Sequence, residues 1–211
     1  YPVQDSAELI VKTVKQHDKP VTLFMSGALT NLALALRMEP EISENIAAVY
    51  IMGGAVNVPG NLNDLLPDAT NTTAEWNIYA DPLAASEVFT SRLNLYLIPL
   101  DATNQLKLTR QDTAVWRKGG SIPDFAADIY ESLMASWNVN EVEMWDLVTA
   151  EIMMNPQHCT FTPLRLEVVI EEGQTEGQTR VVEGEANVNV CLEPDSELIK
   201  QTLSQVFSSR K

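Results

Sequence analysis

Three short apolar runs constrain the fold of this chain more than any other feature. They are Val21–Met25, Asn45–Met52 and Leu93–Leu100. Continuous apolar runs of this length are typical of strands that are buried on both faces of a parallel sheet. Between them, Leu29–Met38 and Asp81–Thr90 have the pattern and the boundaries of helices. The alternation predicts an α/β protein with an open, mostly parallel sheet and flanking helices.

The carboxyl-terminal half fits the same layered architecture. Ser121–Pro156 has a mostly helical pattern, and Ser196–Phe207 predicts a closing helix. Leu164–Ile170 and Arg180–Cys191 alternate apolar and polar residues around a Gly- and Glu-rich stretch. This pattern predicts an antiparallel hairpin at the edge of the sheet.

The net charge of the chain limits the classes of ligand that it is expected to bind. Lys and Arg number 14 against 29 Asp and Glu, so the formal net charge is −15. Such a chain is not expected to bind nucleic acid phosphates or a membrane surface, whereas a small substrate or a divalent cation fits. Because the sequence shows no linker, repeat, signal peptide or membrane span, we predict a single cytoplasmic domain over residues 1–211. Cys159 and Cys191 are expected to be buried free thiols.

Polar residues and glycines gather where the predicted strands end. Ser26–Asn31 follows the first strand, Gly53 and Gly54 follow the second, and Asp101 follows the third. Open α/β sheets bind ligands at this carboxyl edge of the strands. The segment Val56–Thr73 contains two Pro, one Gly and four Asn, and a connection of this length is typical of a functional or mobile loop.

The side chains of Glu75 and Asn77 are of types that bind sugar hydroxyls. They are two residues apart, so on an extended segment their side chains would share a face. Glu75 accepts hydrogen bonds and Asn77 both donates and accepts, a combination that matches vicinal hydroxyls. The same stretch also has the pattern of a helix start, with Asp81 as the N-cap and Pro82 in the first turn. The two interpretations are compatible.

Asp146 lies inside the apolar stretch Met144–Val148. A buried carboxylate needs a metal, a cation or several donors to stay ionised. The alternative is a solvent-facing Asp at the amino terminus of a helix. Trp145 beside it fits a core position equally well. Since no Ser, His and Asp set is evident, we do not expect acyl-transfer chemistry.

Five motifs, in their order along the chain, resemble the inosine-uridine-preferring nucleoside hydrolase family. They are Met25–Ala33 (MSGALTNLA), Met52–Ala55 with Val58–Asn61, Ala74–Pro82 (AEWNIYADP), Leu100–Thr103 (LDAT) and Trp145-Asp146. The Trp before the helix Asp resembles the purine-preferring branch, because the inosine-uridine branch carries His at that place.

The resemblance implies Ca²⁺-dependent hydrolysis of the N-glycosidic bond of ribonucleosides, with a preference for purine nucleosides, to give base and ribose. In such enzymes a calcium ion holds the ribose diol and the attacking water, and an Asp deprotonates that water. Calcium suits a shell of oxygen ligands. By position, Asp146 and the carbonyl of Ser26 would be calcium ligands.

The resemblance also implies the substrate contacts. Met52 would line the sugar, Asn61 and Glu75 would hold the 5′-hydroxyl side, and Asn77 would bind the diol. Trp145 would stack on the purine. Since family members form dimers or tetramers, a homo-oligomer is expected.

One signature of the family, an Asp-rich D-x-D-x-G-x-D-D run after the first strand, is not found in these residues. It supplies the general base and two metal carboxylates, so no catalytic residue is assigned within this chain. The chain resembles the carboxyl-terminal two-thirds of such an enzyme. The amino-terminal part is expected to exist on a complementary chain or to have been removed, or else the chain is a truncated product. We expect these residues alone to bind calcium poorly and to hydrolyse no nucleoside measurably.

Two alternatives remain open. The chain could be a non-catalytic nucleoside-binding, ribose-binding or structural member of the same family, since the general base is missing. A carbohydrate-processing α/β enzyme of another family would need only Glu75 and Asn77, but the Met52–Ala55 and Trp145-Asp146 motifs argue against it. Separately, Asn71-Thr72-Thr73 fits a glycosylation acceptor.

Overall fold

The computed structural model describes residues 5–66 and 68–209. Within these ranges the helices are α1 Ser6–Gln16, α2 Thr30–Met38, α3 Leu62–Leu65, α4 Trp76–Ala80, α5 Pro82–Phe89, α6 Leu100–Thr103, α7 Arg110–Trp116, α8 Ser121–Ser136, α9 Trp145–Met154 and α10 Ser196–Ser208. The strands are β1 Val21–Met25, β2 Ile46–Met52, β3 Leu95–Ile98, β4 Lys107–Thr109, β5 Glu141–Glu143, β6 Cys159–Leu164, β7 Leu166–Val168, β8 Thr179–Val181 and β9 Val188–Pro194.

The central sheet has five strands in the order β1-β2-β3-β9-β6. β1 pairs with β2, β2 with β3, and β3 with β9, and all three pairings are parallel. The register places Leu23 opposite Val49 and Ile51 opposite Leu97, which joins the predicted apolar runs directly. The prediction of an open, mostly parallel α/β sheet is therefore confirmed.

The predicted hairpin is present, although its second arm is shorter than expected. β7 and β8 pair antiparallel, with Leu166 opposite Val181, and they form a separate two-stranded sheet. The chain leaves this hairpin at Gly184, whose φ of +141° is a conformation that L side chains rarely adopt. The rest of the predicted arm is β9, which joins the central sheet instead.

The described residues group into two compact units. The first unit runs to Asp101 and includes Phe161–Leu192; the second contains Ala102–Thr160 and the residues from Glu193 onwards. The prediction of one domain stays a prediction, because units of this kind can belong to a single domain.

The first unit contains the main apolar core. Its central residues lie on the sheet and on α2 and α5, and they include Leu32, Val49, Ile51, Val88 and Leu97. Each of these five side chains is fully buried. Burial at this level is worth about 1.5–3 kcal/mol for each large aliphatic side chain, so this core fixes the strand ends that carry the site.

The second unit is held together by aromatic packing. Trp116 of α7 stacks on Phe207 of α10, with ring centroids 4.3 Å apart, and meets Tyr130 of α8 edge to face at 5.9 Å. β4 and β5 form a further antiparallel pair, with Leu108 opposite Val142. The stretch expected to be mostly helical therefore consists of α8 and α9 with the short strand β5 between them.

The expectation of free thiols was wrong. Cys159 and Cys191 are both disulfide-bonded in the structure. The sequence did not reveal this because two cysteines that lie far apart along the chain give no signal of whether they are paired. Among the described residues, no helix has the length and apolar character needed to cross a membrane.

Candidate functional site

The carboxyl end of β2 forms one side of the candidate site. After Met52 the chain turns through Gly53 and Gly54, and Gly54 has a φ of +81° in the left-handed region that favours glycine. A Cβ on Gly53 would lie 3.2 Å from Oε2 of Glu75. The absence of a side chain at position 53 therefore lets that carboxylate approach the strand end closely.

Glu75 joins the strand end to the start of α4. Its side chain is buried, and Oε2 accepts hydrogen bonds from the backbone N–H groups of Gly54 at 3.0 Å, Asn77 at 2.9 Å and Ile78 at 3.1 Å. It is thus the N-cap of α4. Backbone donors and the positive end of a helix both stabilise an ionised carboxylate.

Glu75 and Asn77 do not lie together on an extended segment, because residues 76–80 are helical. Glu75 and Asn77 are nevertheless brought together, by capping rather than by a shared strand face. The side-chain amide of Asn77 donates to the carbonyl oxygen of Met52 at 3.1 Å and to its sulfur at 3.3 Å. Three of the predicted sugar contacts therefore meet at one strand end.

Asn61 joins this group from the loop before α3. Its Oδ1 accepts from the backbone N–H of Trp76 at 2.9 Å, and its own N–H donates to the carbonyl of Ala74 at 3.2 Å. We call Met52, Asn61, Glu75 and Asn77 the Glu75 cluster. Among the described residues, Nδ2 of Asn61 and Oδ1 of Asn77 make no hydrogen bond to protein, so a donor and an acceptor remain for a ligand.

Three further polar side chains hold the segments around the Glu75 cluster. Asp101 accepts from the N–H groups of Val56 and Asn57, and the hydroxyl of Thr179 bonds both polar backbone groups of Ala55. The sequence marked Asp101 as a strand-end carboxylate, but nothing indicated Thr179, which lies 124 positions from its partner.

The third is Asn71. Its Oδ1 accepts from the N–H groups of Thr73 and Ala74, and its Nδ2 donates to the carbonyl of Glu176 at 2.7 Å. Asn71 is also buried. The amide nitrogen to which a glycan would attach is therefore occupied inside the protein, and the tripeptide serves to fold the loop.

An open cavity of about 570 Å³ lies beside this loop in the first unit. Its lining includes Val58, Pro59, Asn63, Asp64, Thr72 and Gln178. Amide and hydroxyl groups predominate among the polar side chains, which suits an uncharged hydroxylated ligand.

The second unit carries Trp145 and Asp146 in the first turn of α9. Asp146 is exposed, so of the two alternatives left open by the sequence the solvent-facing one holds. Nearby protein still desolvates the carboxyl group and raises its pKa. Burial, followed by the charge of Asp146, raises the pKa of Tyr130 to about 12. Trp145 packs edge to face against Trp137 at 6.1 Å.

A buried ionisable pair lies further along the same unit. Glu151 Oε1 is 2.7 Å from Nδ1 of His158 and accepts from the side-chain amide of Asn155 at 3.1 Å. Burial raises the pKa of Glu151, whereas the hydrogen bond from His158 opposes that shift. The pair links α9 to the residue that precedes β6.

The described residues carry no cluster of metal-binding side chains. Within residues 5–66 and 68–209 there is no group of three or more His, Cys, Asp or Glu side chains that could hold a metal ion. Ser26 is an exposed residue of the first unit, and Asp146 belongs to the second.

Comparisons with known proteins agree with one another on the family. Residues 2–201 match the model of a family described as inosine-uridine preferring nucleoside hydrolase. A pyrimidine-specific ribonucleoside hydrolase RihA of Klebsiella pneumoniae is 28% identical over 95% of this chain and 65% of its own length. The RihA protein of Escherichia coli O1:K1 is 30% identical over 83% of this chain and 56% of its own length.

Solved structures of ribonucleoside hydrolases also match this chain. A purine-preferring ribonucleoside hydrolase of Gardnerella vaginalis superimposes with a TM-score of 0.86 at 26% identity, over 98% of this chain and 66% of that protein. An inosine-uridine preferring nucleoside hydrolase of Bacillus anthracis gives 0.84 at 25% identity with the same coverage. The chain thus spans less than two thirds of the length of these relatives, whose stated base preferences differ.

Proposed function

Because the chain belongs to the inosine-uridine-preferring nucleoside hydrolase family, we propose that it forms the sugar-binding part of an enzyme that hydrolyses the N-glycosidic bond of ribonucleosides. In that reaction the bond between C1′ and the base nitrogen breaks. The oxygen of water bonds to C1′, and the base nitrogen takes up a proton. The observation that carries the proposal is the convergence of the Glu75 cluster at the carboxyl end of β2.

The Glu75 cluster offers the groups that a ribose needs. Oδ1 of Asn77 would accept a hydrogen bond from a hydroxyl of the diol. Asn61 and Glu75 would hold the 5′-hydroxyl side, and Met52 would line the sugar. The carboxylate of Glu75 also places negative charge near a ring that becomes an oxocarbenium-like cation in the transition state. Preorganised charge of this kind needs no rearrangement during the reaction.

We propose a preference for purine nucleosides, with Trp145 stacking on the base. The purine-preferring Gardnerella relative supports this preference, whereas the pyrimidine-specific RihA relatives oppose it. Base stacking on an aromatic ring is worth about 1–3 kcal/mol. Initial rates with inosine, guanosine, uridine and cytidine test the preference.

Calcium remains our proposed cofactor, with Asp146 and the carbonyl of Ser26 as two of its oxygen ligands. Because the described residues gather no three-ligand cluster, we propose that the other carboxylates and the general base come from polypeptide outside residues 1–211. On this account residues 1–211 alone bind calcium weakly. Calorimetric titration with CaCl₂ measures this directly; tight binding by these residues alone contradicts it.

The activity test compares residues 1–211 alone with the same residues extended at the amino terminus by an Asp-rich segment of a related hydrolase. We expect release of ribose and base only from the extended protein. Release by residues 1–211 alone refutes the need for further residues. No release by either, with correct folding shown by circular dichroism, favours the alternative of a non-catalytic nucleoside-binding or structural member.

We further propose a homo-oligomer located in the cytoplasm. Light scattering coupled to size exclusion gives the molar mass, and a mass of one protomer contradicts the first part. Fractionation of cells that produce the natural protein tests the second.

A further inference from the structure

We infer that Thr179 and Asp101 are positioning residues for the Glu75 cluster, because both hold the turn Gly54–Asn57 that follows β2. The effect on catalysis rests on the proposed function, whereas the effect on the position of the turn does not.

The hydroxyl of Thr179 bonds both polar backbone groups of Ala55. The hydroxyl oxygen accepts from the N–H of Ala55 at 3.0 Å and donates to its carbonyl oxygen at 2.7 Å. Thr179 is 2% and Ala55 3% exposed, so water cannot readily replace these bonds. Loss of the hydroxyl leaves two buried backbone groups without that partner.

Asp101 holds the next two residues of the turn. Its Oδ2 accepts from the N–H of Val56 and its Oδ1 from the N–H of Asn57, both at 2.8 Å. The preceding residue, Leu100, donates its N–H to the carbonyl of Gly54 at 2.9 Å. The end of β3 therefore fixes the turn through one backbone bond and two bonds to an ionised acceptor.

The turn and the Glu75 cluster share Gly54. Its N–H donates to Glu75, and a Cβ at this position would lie 3.2 Å from the Thr179 hydroxyl oxygen. A shift of Ala55 therefore moves a donor of the Glu75 carboxylate and the strand end that holds Asn77. A displacement of about 1 Å at a distance from the reacting atoms can cost about 100-fold in rate.

Thr179→Val keeps the shape of the side chain and removes the hydroxyl, whereas Thr179→Ser keeps the hydroxyl. Thr113→Val is a matched control, because Thr113 is also buried and its hydroxyl bonds the carbonyl of Arg110 and the carboxylate of Glu131. In the extended, active protein we expect kcat/KM of Thr179→Val to fall about 10- to 100-fold. We expect Thr179→Ser and Thr113→Val to stay within about 3-fold of the unsubstituted protein, since neither releases the turn.

Amide hydrogen exchange supplies a readout that needs no activity. Thr179→Val and Asp101→Asn are expected to accelerate exchange at Ala55–Asn57 and also at Asn77 and Ile78, whereas Thr113→Val leaves these amides unchanged. Asp101→Asn keeps the test decisive if Thr179→Val does not fold.

Faster exchange confined to the turn, with Asn77 and Ile78 unchanged, overturns the inference. So does an equal loss of kcat/KM in Thr179→Val and Thr113→Val. If the unsubstituted extended protein releases no base, the proposed function fails, while the exchange data still decide whether the two residues position the cluster.

Discussion

Replacing Glu75 by Gln tests how strongly the carboxylate ties β2 to α4. One buried oxygen accepts from three backbone N–H groups, those of Gly54, Asn77 and Ile78. Hydrogen bonds to a charged acceptor contribute about 1.5–3 kcal/mol each, against about 0.5–1.5 kcal/mol for neutral pairs. With roughly 1 kcal/mol lost at each bond, we expect Glu75→Gln to lower the free energy of unfolding by about 2–4 kcal/mol.

The assay is urea unfolding followed by tryptophan fluorescence, with Glu87→Gln as the control. Glu87 pairs with Arg37 at the surface, where an ion pair is worth at most about 1 kcal/mol. A loss in Glu75→Gln that is no larger than the loss in Glu87→Gln would refute the capping role derived from the structure.

Three further predictions follow from the second unit. Trp116→Ala removes the ring stacked on Phe207 and is expected to lower the free energy of unfolding by about 3–5 kcal/mol, measured in urea. Burial raises the pKa of Glu151 above 4.5, so stability is expected to fall as pH rises through the raised value. Glu151→Gln should flatten that dependence in thermal melts between about pH 4 and 8, and an unchanged slope contradicts it. Trp145→Ala is expected to raise KM for inosine in the extended enzyme by about 5- to 150-fold, more than for uridine; equal effects on both nucleosides contradict purine stacking.

The strands β1, β2 and β3 and the helices α2 and α5 were predictable because local pattern and burial agree there. The bounds of β1 match the predicted apolar run Val21–Met25 to the residue. The order of the strands in the sheet was not predictable in this way. β9 is inserted beside β3, a non-local pairing that a linear pattern does not encode.

The members of the Glu75 cluster could be named from motifs, but the geometry that joins them could not. The helical conformation of α4 depends on Glu75 as its cap, and the cap depends on the glycines that follow β2. Thr179 gave no signal because its partner lies 124 positions away. The exposure of Asp146 could not be predicted because an apolar stretch around a carboxylate does not show whether the helix begins before it or after it.

Binding of ribose to residues 1–211, followed through the side-chain amide signals of asparagine in ¹⁵N-resolved NMR, measures whether the Glu75 cluster is a sugar site. We expect the amide signals of Asn61 and Asn77 to shift in a saturable manner as ribose is added. Those of Asn94 and Asn189, which bond each other at 3.4 Å elsewhere in the first unit, should stay unchanged. Saturable shifts that leave Asn61 and Asn77 unaffected, or no shift at any concentration, would contradict the assignment of the Glu75 cluster as a sugar site.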